Sequence, residues 1–165
     1  MTVLVKMPAE NFDSYLASSI HEYAEENITS GRWPLEAAQA RSKAEFENLL
    51  PQGFSTPDNY FFEIMDSQRE LVLGYLWFAI KESFGDRSAF IYDVKVKDVY
   101  RRQGHAKRAF FALESIALRL NVTSIGLHVF SYNENAKALY ELLGYFVTGA
   151  NMRKNIGIQT NIDPN

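Results

Sequence analysis

The 165-residue sequence contains no cysteine. Disulfide bonds, thiolate metal sites and cysteine nucleophiles are therefore excluded. No apolar run approaches the roughly 20 residues that a membrane-spanning helix needs. The first twelve residues, MTVLVKMPAENF, lack the charged and then apolar pattern of a secretory signal. We therefore expect a cytoplasmic protein that has no membrane partner.

An excess of positive charge is also missing. The formal net charge is −3, which disfavours a broad nucleic-acid-binding surface, so we expect no nucleic-acid partner. The three histidines, His21, His105 and His128, are far apart in the chain. Because they share no ligand spacing, we expect no metal site.

What the sequence does contain is enough apolar surface for one core. Apolar residues make up 47% and aromatic residues 14% of the chain, and its length suits one domain with a sizeable core. We expect a single domain over residues 1–155, followed by a C-terminal tail over residues 156–165.

The spacing of apolar residues predicts both helices and strands. Helical spacing indicates helices beginning at Pro8 and Pro34, with two more over about residues 105–120 and 133–143. Runs of aromatic and branched residues predict strands over residues 2–6, 60–65, 71–80, 88–96 and 123–130, and a final hairpin over residues 145–149 and 151–154. Gly74, inside one of these strands, indicates a bulge or a close backbone approach.

The order of these elements predicts an α+β fold. Short polar turns join the three central strands, which are therefore predicted to be antiparallel. A helix connects the strands over residues 88–96 and 123–130, and such a crossover joins parallel strands. The sheet is thus predicted to be mixed, mostly antiparallel and made of six or seven strands, with about four helices.

The most informative stretch lies between residues 94 and 113, where a strand leads through a basic turn into an amphipathic helix. Helix N-termini expose backbone N–H groups, and cations beside them complete a site for anions. Gly104 and Ala106 allow a ligand to approach the backbone closely. The cations of this turn are Arg101, Arg102, Lys107 and Arg108. The stretch therefore predicts a site for a pyrophosphate.

Two common nucleotide-binding motifs do not account for this turn. It lacks the Gly-Lys-Ser/Thr of a Walker A loop, and it lacks the G-x-G-x-x-G of a dinucleotide-binding turn. Residues 101–106, RRQGHA, instead resemble the Q/R-x-x-G-x-G/A signature of the GNAT superfamily of N-acetyltransferases. Residues 133–145, NENAKALYELLGY, resemble the N-x-x-A-x-x-L-Y-E-x-x-G-F/Y segment of the same superfamily. The element order over residues 2–155 is also similar, and the resemblance implies a three-layered GNAT-like fold.

The resemblance implies that acetyl-coenzyme A (acetyl-CoA) is the co-substrate and lies between two splayed parallel strands. The backbone from Val94 to Val96 would pair with its pantetheine arm, as a peptide pairs with a sheet edge. Asn133, in the segment that also contains Ala136, would hydrogen-bond the same arm. The pyrophosphate would be held by the turn that contains Arg102, Gln103, Gly104, His105, Ala106 and Lys107.

The implied reaction is attack by a primary amine on the thioester. No cysteine is available to carry an acyl group, so we expect direct transfer in a ternary complex. Tyr140 matches the tyrosine of the superfamily that lies near the thioester sulfur, where a phenol could protonate the leaving thiolate. Asp93 is the acid on the strand where some relatives carry a catalytic glutamate, although strand alternation predicts that it points away from the acceptor. A water relay, Glu22 or Glu26 remain alternatives for the base.

The acceptor is expected to be a small-molecule or protein amine. In this superfamily its pocket is built from the first two helices and the final hairpin. The candidates for contact with the acceptor are Tyr23, Glu26, Trp33, Tyr75, Trp77 and His128. Glutamates on the first helix favour a cationic amine. The resemblance also allows a homodimer formed through an exposed last strand.

Two other functions are compatible with parts of this sequence. A non-catalytic module would bind acyl-CoA or recruit a partner through the same fold, and the presence of Tyr140 and Asn133 disfavours it. A nucleic-acid-binding role would use the basic turn, and salt-dependent binding to duplex DNA would indicate it.

Overall fold

A computed structural model describes residues 2–157, which form four helices and five strands. The strands are β1 (Thr2–Lys6), β2 (Asn59–Asp66), β3 (Val72–Ser83), β4 (Asp86–Val96) and β5 (Ser124–Leu127). The helices are α1 (Ala9–Thr29), α2 (Leu35–Leu49), α3 (His105–Arg119) and α4 (Glu134–Leu142). None of the helices within residues 2–157 is long and apolar enough to cross a membrane.

The five strands form one open sheet in the order β1-β2-β3-β4-β5. The first three pairings are antiparallel, and β4 pairs with β5 in parallel. The parallel pair is joined through α3, as a crossover connection requires. The predicted mixed α+β fold with four helices is thus confirmed.

The prediction of six or seven strands is wrong, because the described residues form five. Residues 145–157 follow α4 without regular secondary structure, and Phe146 and Met152 are largely exposed there. A two-stranded hairpin is marginally stable unless a sheet supports it. Alternation of apolar and polar residues alone therefore did not suffice to form the last two strands. The predicted tail begins at residue 156, and all but its first two residues lie outside the described part of the chain.

Side chains from the two faces of the sheet enter different hydrophobic clusters. On one face, Phe61 and Trp77 pack with residues of α1 and α2, including Phe12 and Phe46. On the other face, alternate strand residues such as Phe78 pack against Phe110 and Leu113 of α3. This alternation is what period-two strands with two covered faces require.

The position of Gly74 in β3 has no room for a side chain. A Cβ atom at this position would lie 2.0 Å from the carbonyl oxygen of Lys95. The pairing of β2 with β3 also shifts by one residue between Ile64 and Met65, beside Gly74. The prediction of a bulge or a close backbone approach at Gly74 is therefore confirmed.

Candidate active site

The site lies where the two parallel strands diverge. Their pairing runs from Ser88 with Ser124 to Ile91 with Leu127, and β4 then continues to Val96. A cavity of about 600 Å³ opens at this divergence, between the strand ends, α1, α2 and α4. Val94 lines it, whereas the side chain of Val96 is buried in the cluster on the α3 face.

A β-bulge in β4 turns Asp93 towards this cavity. Trp77 pairs with Asp93, and the next residue of β3, Phe78, pairs with Ile91, so Tyr92 is the extra residue. In a regular strand Asp93 would share the α3 face with Ile91. Because the bulge interrupts that alternation, Asp93 instead faces α1.

Two hydroxyl groups of α1 hold the Asp93 carboxylate. The phenol of Tyr15 donates a hydrogen bond of 2.7 Å to Asp93 Oδ2, and Ser19 Oγ donates a longer one of 3.4 Å to the same atom. Burial raises the pKa of Asp93 to about 6, and the negative charge of Glu22 adds to the rise, while the two hydroxyl groups oppose it. This carboxylate can therefore exchange a proton near neutral pH.

Tyr140 enters the cavity from α4 on the opposite side. Its ring packs against Phe110, with 5.5 Å between ring centroids, and against Tyr145 at 6.1 Å. Burial raises the pKa of Tyr140 to about 12, with smaller contributions from the charges of Asp93 and Glu26. The phenol therefore keeps its proton at neutral pH and can donate it.

The turn before α3 has an open helix N-terminus. Gly104 adopts a left-handed conformation with φ of 79°, and Arg102 does so with φ of 64°. The hydrogen bond from Arg108 N to Gly104 O, 3.1 Å long, is the first of the helical type. The N–H groups of His105, Ala106 and Lys107 precede it, so helix geometry gives them no intrahelical acceptor.

The side chains of this turn differ in exposure. Arg102, Gln103 and Lys107 are exposed, whereas His105 and Ala106 are partly buried. His105 Nδ1 lies 2.9 Å from Thr2 Oγ1 and 3.2 Å from Arg108 Nη2. Burial and then the charge of Arg108 lower the pKa of His105. The imidazole thus packs towards β1, which leaves its backbone N–H as the group available at the helix terminus.

Asn133 is the N-cap of α4 and also lines the cavity. Its side-chain oxygen accepts a hydrogen bond of 3.3 Å from Ala136 N. Its two amide hydrogens, which a cap does not use, remain to donate to a ligand.

Four of the six residues suggested for the acceptor pocket line the same cavity, namely Tyr23, Glu26, Trp77 and His128. Tyr75 is not among the lining residues, and its ring packs against Tyr15 at 5.1 Å. Trp33 does not line the cavity either. Its ring is buried and packs edge-on against Tyr23 at 5.4 Å, so it supports the wall from behind.

The two alternative bases on α1 differ in their surroundings. Glu22 forms an ion pair with Lys95 of β4. Glu26 faces the cavity and keeps contact with solvent. Partial desolvation raises the pKa of Glu26, and the charges of Asp93 and Glu22 raise it further.

Sequence reasoning missed several residues of the site. Tyr15 and Ser19 hold Asp93, and the cavity wall also contains Arg32, Glu45 and Asn151. These residues come from α1, the α1–α2 connection, α2 and the C-terminal segment, so no local motif links them. Among residues 2–157, no group of three or more His, Asp or Glu side chains is arranged to hold a metal ion.

Comparisons with known proteins agree with this arrangement. Residues 20–145 match the model of the acetyltransferase (GNAT) family. The chain is 37% identical over 157 residues to the uncharacterized N-acetyltransferase YycN of Bacillus subtilis, covering 94% of this chain and 100% of that protein. It is 34% identical to YdgE of the same bacterium, also named an N-acetyltransferase, covering 93% of this chain and 97% of that protein.

Two further similarities extend the comparison. The crystal structure of YycN superimposes with a TM-score of 0.89 at 35% identity, covering 94% of this chain and 99% of that one. A mouse protein named thialysine N-epsilon-acetyltransferase is 30% identical over 125 residues, covering 63% of this chain and 72% of that protein. The diverging strands, the open N-terminus of α3 and these matches together show that the chain belongs to the GNAT family of acetyltransferases.

Proposed function

We propose that this protein transfers the acetyl group of acetyl-CoA directly to a primary amine in a ternary complex. One observation carries the proposal. The same cavity is lined by a carboxylate with a pKa near neutrality, Asp93, and by a protonated phenol, Tyr140. Acetyl transfer from a thioester to an amine needs a group that accepts a proton and another that donates one.

The family uses acetyl-CoA, and features of this chain fit that molecule. Its pyrophosphate would be held by the N–H groups that begin α3, where the side chains of Arg102 and Lys107 add positive charge. A Cβ atom at Gly104 would lie 2.8 Å from Arg108 Nη1, so the glycine allows this guanidinium to lie against the turn. The backbone of β4 beyond Ile91 and the amide of Asn133 would hold the pantetheine arm between the diverging strands. When bound, acetyl-CoA supplies an activated acetyl group and a thiol as leaving group.

The residues of the cavity would then divide the proton transfers. Asp93 would accept a proton from the acceptor ammonium, and Tyr140 would donate its proton to the departing sulfur. Tyr15 and Ser19 keep Asp93 oriented towards the cavity through their hydrogen bonds. Of the two alternative bases, Glu22 is already paired with Lys95, and Glu26 adds negative charge that favours a cationic acceptor. The mouse relative, which is named for acetylating the side-chain amine of thialysine, is consistent with a cationic primary amine as acceptor.

The proposed pyrophosphate site can be tested by replacing Gly104 with aspartate. We expect acetyl-CoA to bind at least about tenfold more weakly. The added carboxylate would repel the phosphates, and a side chain at φ of 79° is strained. Isothermal titration calorimetry with acetyl-CoA measures the change.

Gly85→Asp is the matched control for this substitution. Gly85 also has a left-handed φ, of 80°, but a Cβ atom there would meet nothing within 4 Å, and the residue lies in the β3–β4 turn. We expect this variant to bind acetyl-CoA as the wild type does. Equal affinities for both variants would contradict the assignment of the pyrophosphate to the α3 turn.

Two substitutions at Asn133 separate its role as a cap from its role towards a ligand. Asn133→Ala should lower the free energy of unfolding by about 1 kcal/mol, because it removes the cap. Asn133→Asp should retain that stability, since a carboxylate also caps a helix, yet weaken acetyl-CoA binding because it removes the amide donors. Urea unfolding and calorimetry measure the two effects. If Asn133→Asp binds acetyl-CoA normally, Asn133 is only a cap.

Release of the coenzyme A thiol across a set of primary amines distinguishes an enzyme from a binding module. We expect amine-dependent thiol release with at least one cationic primary amine. Saturable binding of acetyl-CoA without thiol release for any amine would instead support the non-catalytic alternative.

A further inference from the structure

The cavity has a second polar region, away from Asp93 and Tyr140. Arg32, Glu45 and Tyr23 line the cavity, as do Asn48 and Asn151. The carboxylate of Glu45 and the guanidinium of Arg32 are both close enough to the Tyr23 hydroxyl to influence its pKa. Burial raises the pKa of Tyr23, Glu45 raises it further, and Arg32 opposes the rise. A cation, an anion and a phenol therefore meet at this end of the cavity.

The geometry of α1 sets the distance between the two regions. Ser19 contacts Asp93 at one level of the helix, and Tyr23 lies one turn further along. The N–H of Arg32 donates a hydrogen bond of 2.9 Å to the carbonyl oxygen of Asn27, a further turn along. With a rise of about 1.5 Å per residue, these levels are roughly 6 to 12 Å from the level of Ser19.

The C-terminal segment keeps this end of the cavity in place. Arg153 Nη2 donates a hydrogen bond of 2.7 Å to the carbonyl oxygen of Gly31, the residue before Arg32. Two residues earlier in the same segment, Asn151 reaches the cavity wall. The irregular segment after α4 is thus tethered beside Arg32, although it forms no strand.

From these contacts we infer that the acceptor is an α-amino acid with a terminal amine on an unbranched side chain. Its carboxylate binds Arg32 and its α-ammonium binds Glu45, while its side-chain amine reaches Asp93. This inference rests on the proposed acetyl transfer and adds the class of acceptor. A side chain of three or four methylene groups has the necessary reach, because C–C bonds are about 1.5 Å long.

The charges of the cavity argue against simpler amines. A polyamine could place a second ammonium group beside Glu45, but it would bring no anion to the guanidinium of Arg32. A monoamine without a carboxylate would bring no charged group to either Arg32 or Glu45. An amino acid instead places opposite charges beside both Arg32 and Glu45.

A matched set of acceptors tests this assignment. L-Lysine and L-ornithine carry both head groups, 1,5-diaminopentane lacks the carboxylate, and 6-aminohexanoate lacks the α-ammonium. We expect kcat/KM for the better of the two amino acids to exceed that for either analogue at least tenfold. Mass spectrometry of the product should show acetylation of the side-chain amine.

Arg32→Gln tests the residue itself, and Arg41→Gln is its control. Both guanidinium groups lie over the ring of Trp33, at 5.8 Å and 5.2 Å from its centroid, but only Arg32 lines the cavity. Arg32→Gln should raise KM for the amino acid by about tenfold to a hundredfold, the usual effect of losing a hydrogen bond to a charged group. It should not weaken the use of 1,5-diaminopentane. Arg41→Gln should change neither.

Calorimetric titration of the coenzyme A complex with each amino acid keeps this test separate from catalysis. Binding that Arg32→Gln weakens and Arg41→Gln does not would support the head-group site, even if acetyl transfer were not observed. The inference is overturned if neither amino acid binds, or if Arg32→Gln leaves its binding and KM unchanged. The inference is also overturned if 1,5-diaminopentane releases the thiol as fast as the amino acids do. In that case the proposed acetyl transfer to a primary amine would still be supported.

Discussion

Replacing Tyr140 with phenylalanine is expected to lower kcat by about 10²- to 10³-fold, with almost no change in the affinity for acetyl-CoA. Loss of a positioned proton donor typically has an effect of this size. Phenylalanine preserves the ring that packs against Phe110 and Tyr145, so the fold should be retained. Steady-state kinetics and calorimetry with acetyl-CoA measure the two quantities.

The reason lies in the environment of the hydroxyl group. Burial raises the pKa of Tyr140 to about 12, so the proton is present at every pH at which the enzyme would work. A thiolate that leaves in the same partly desolvated cavity also holds a proton more strongly than it would in water. The pKa values of the donor and of the leaving group are thus raised together.

Tyr145→Phe is the control for this variant. Tyr145 also packs against Phe110, and burial likewise raises its pKa, but it does not line the cavity. Removal of its hydroxyl group should leave kcat within about twofold. If Tyr140→Phe and Tyr145→Phe have the same kcat, Tyr140 is a packing residue and the proton reaches the sulfur from another group.

The parts of the site that the sequence predicted are those encoded in short, continuous segments. The turn around Gly104 and the cap at Asn133 are each determined by neighbouring residues, so their spacing is visible in the chain. The parallel pairing of β4 and β5 also followed from the strand–helix–strand order, whereas their divergence was implied by the resemblance to the GNAT superfamily. These local features predicted a pyrophosphate site and carried the resemblance to the GNAT superfamily, which implies acetyl-CoA.

The orientation of Asp93 and the acceptor end of the cavity could not be predicted in the same way. Asp93 faces α1 because one extra residue, Tyr92, interrupts the pairing of β4 with β3. Such a bulge depends on the register between strands and leaves no mark in the alternation of one strand. Arg32, Glu45 and Asn151 meet only after α1, α2 and the C-terminal segment have packed. The final hairpin was predicted wrongly for a related reason, since strand formation there depends on a partner edge.

Asp93→Asn is expected to reduce kcat/KM by at least about a hundredfold at pH 7, and the deficit should shrink as the pH rises. In the wild type the acceptor can enter as an ammonium ion and lose its proton to Asp93. Because the pKa of Asp93 is about 6, log kcat/KM should rise with pH up to about that value and then level. In the variant the amine has to enter already deprotonated. Its rate should therefore continue to rise towards the pKa of a free alkylamine, about 10.4.

Glu26→Gln tests whether Glu26, rather than Asp93, is the base. Glu26 contributes negative charge there, so its loss should raise KM for a cationic amine by a few-fold. The shape of the pH profile should remain that of the wild type. If Glu26→Gln instead abolishes the rise near pH 6 and Asp93→Asn preserves it, Glu26 is the base and Asp93 is structural.

Asp93→Asn should make the protein more stable while it makes it less active. The pKa of Asp93 is higher in the folded chain, at about 6, than its ordinary value of 3.8. The folded state therefore binds this proton more tightly, and the wild type loses stability as the pH rises from about 4 to about 6. A rise of this size corresponds to about 3 kcal/mol at 1.36 kcal/mol per pKa unit. Asparagine carries no charge and can still accept the hydrogen bond from Tyr15.

Thermal unfolding at two pH values measures this effect. Asp93→Asn should unfold at a higher temperature than the wild type at pH 8, where the wild-type carboxylate is charged. The difference should largely disappear near pH 4, where the carboxyl group of the folded wild type is protonated. An equal or lower melting temperature at pH 8 would show that Tyr15 and Ser19 fully compensate the burial of the charge. Greater stability together with lost turnover would instead show that the fold keeps a destabilising carboxylate at the position where the reaction needs a base.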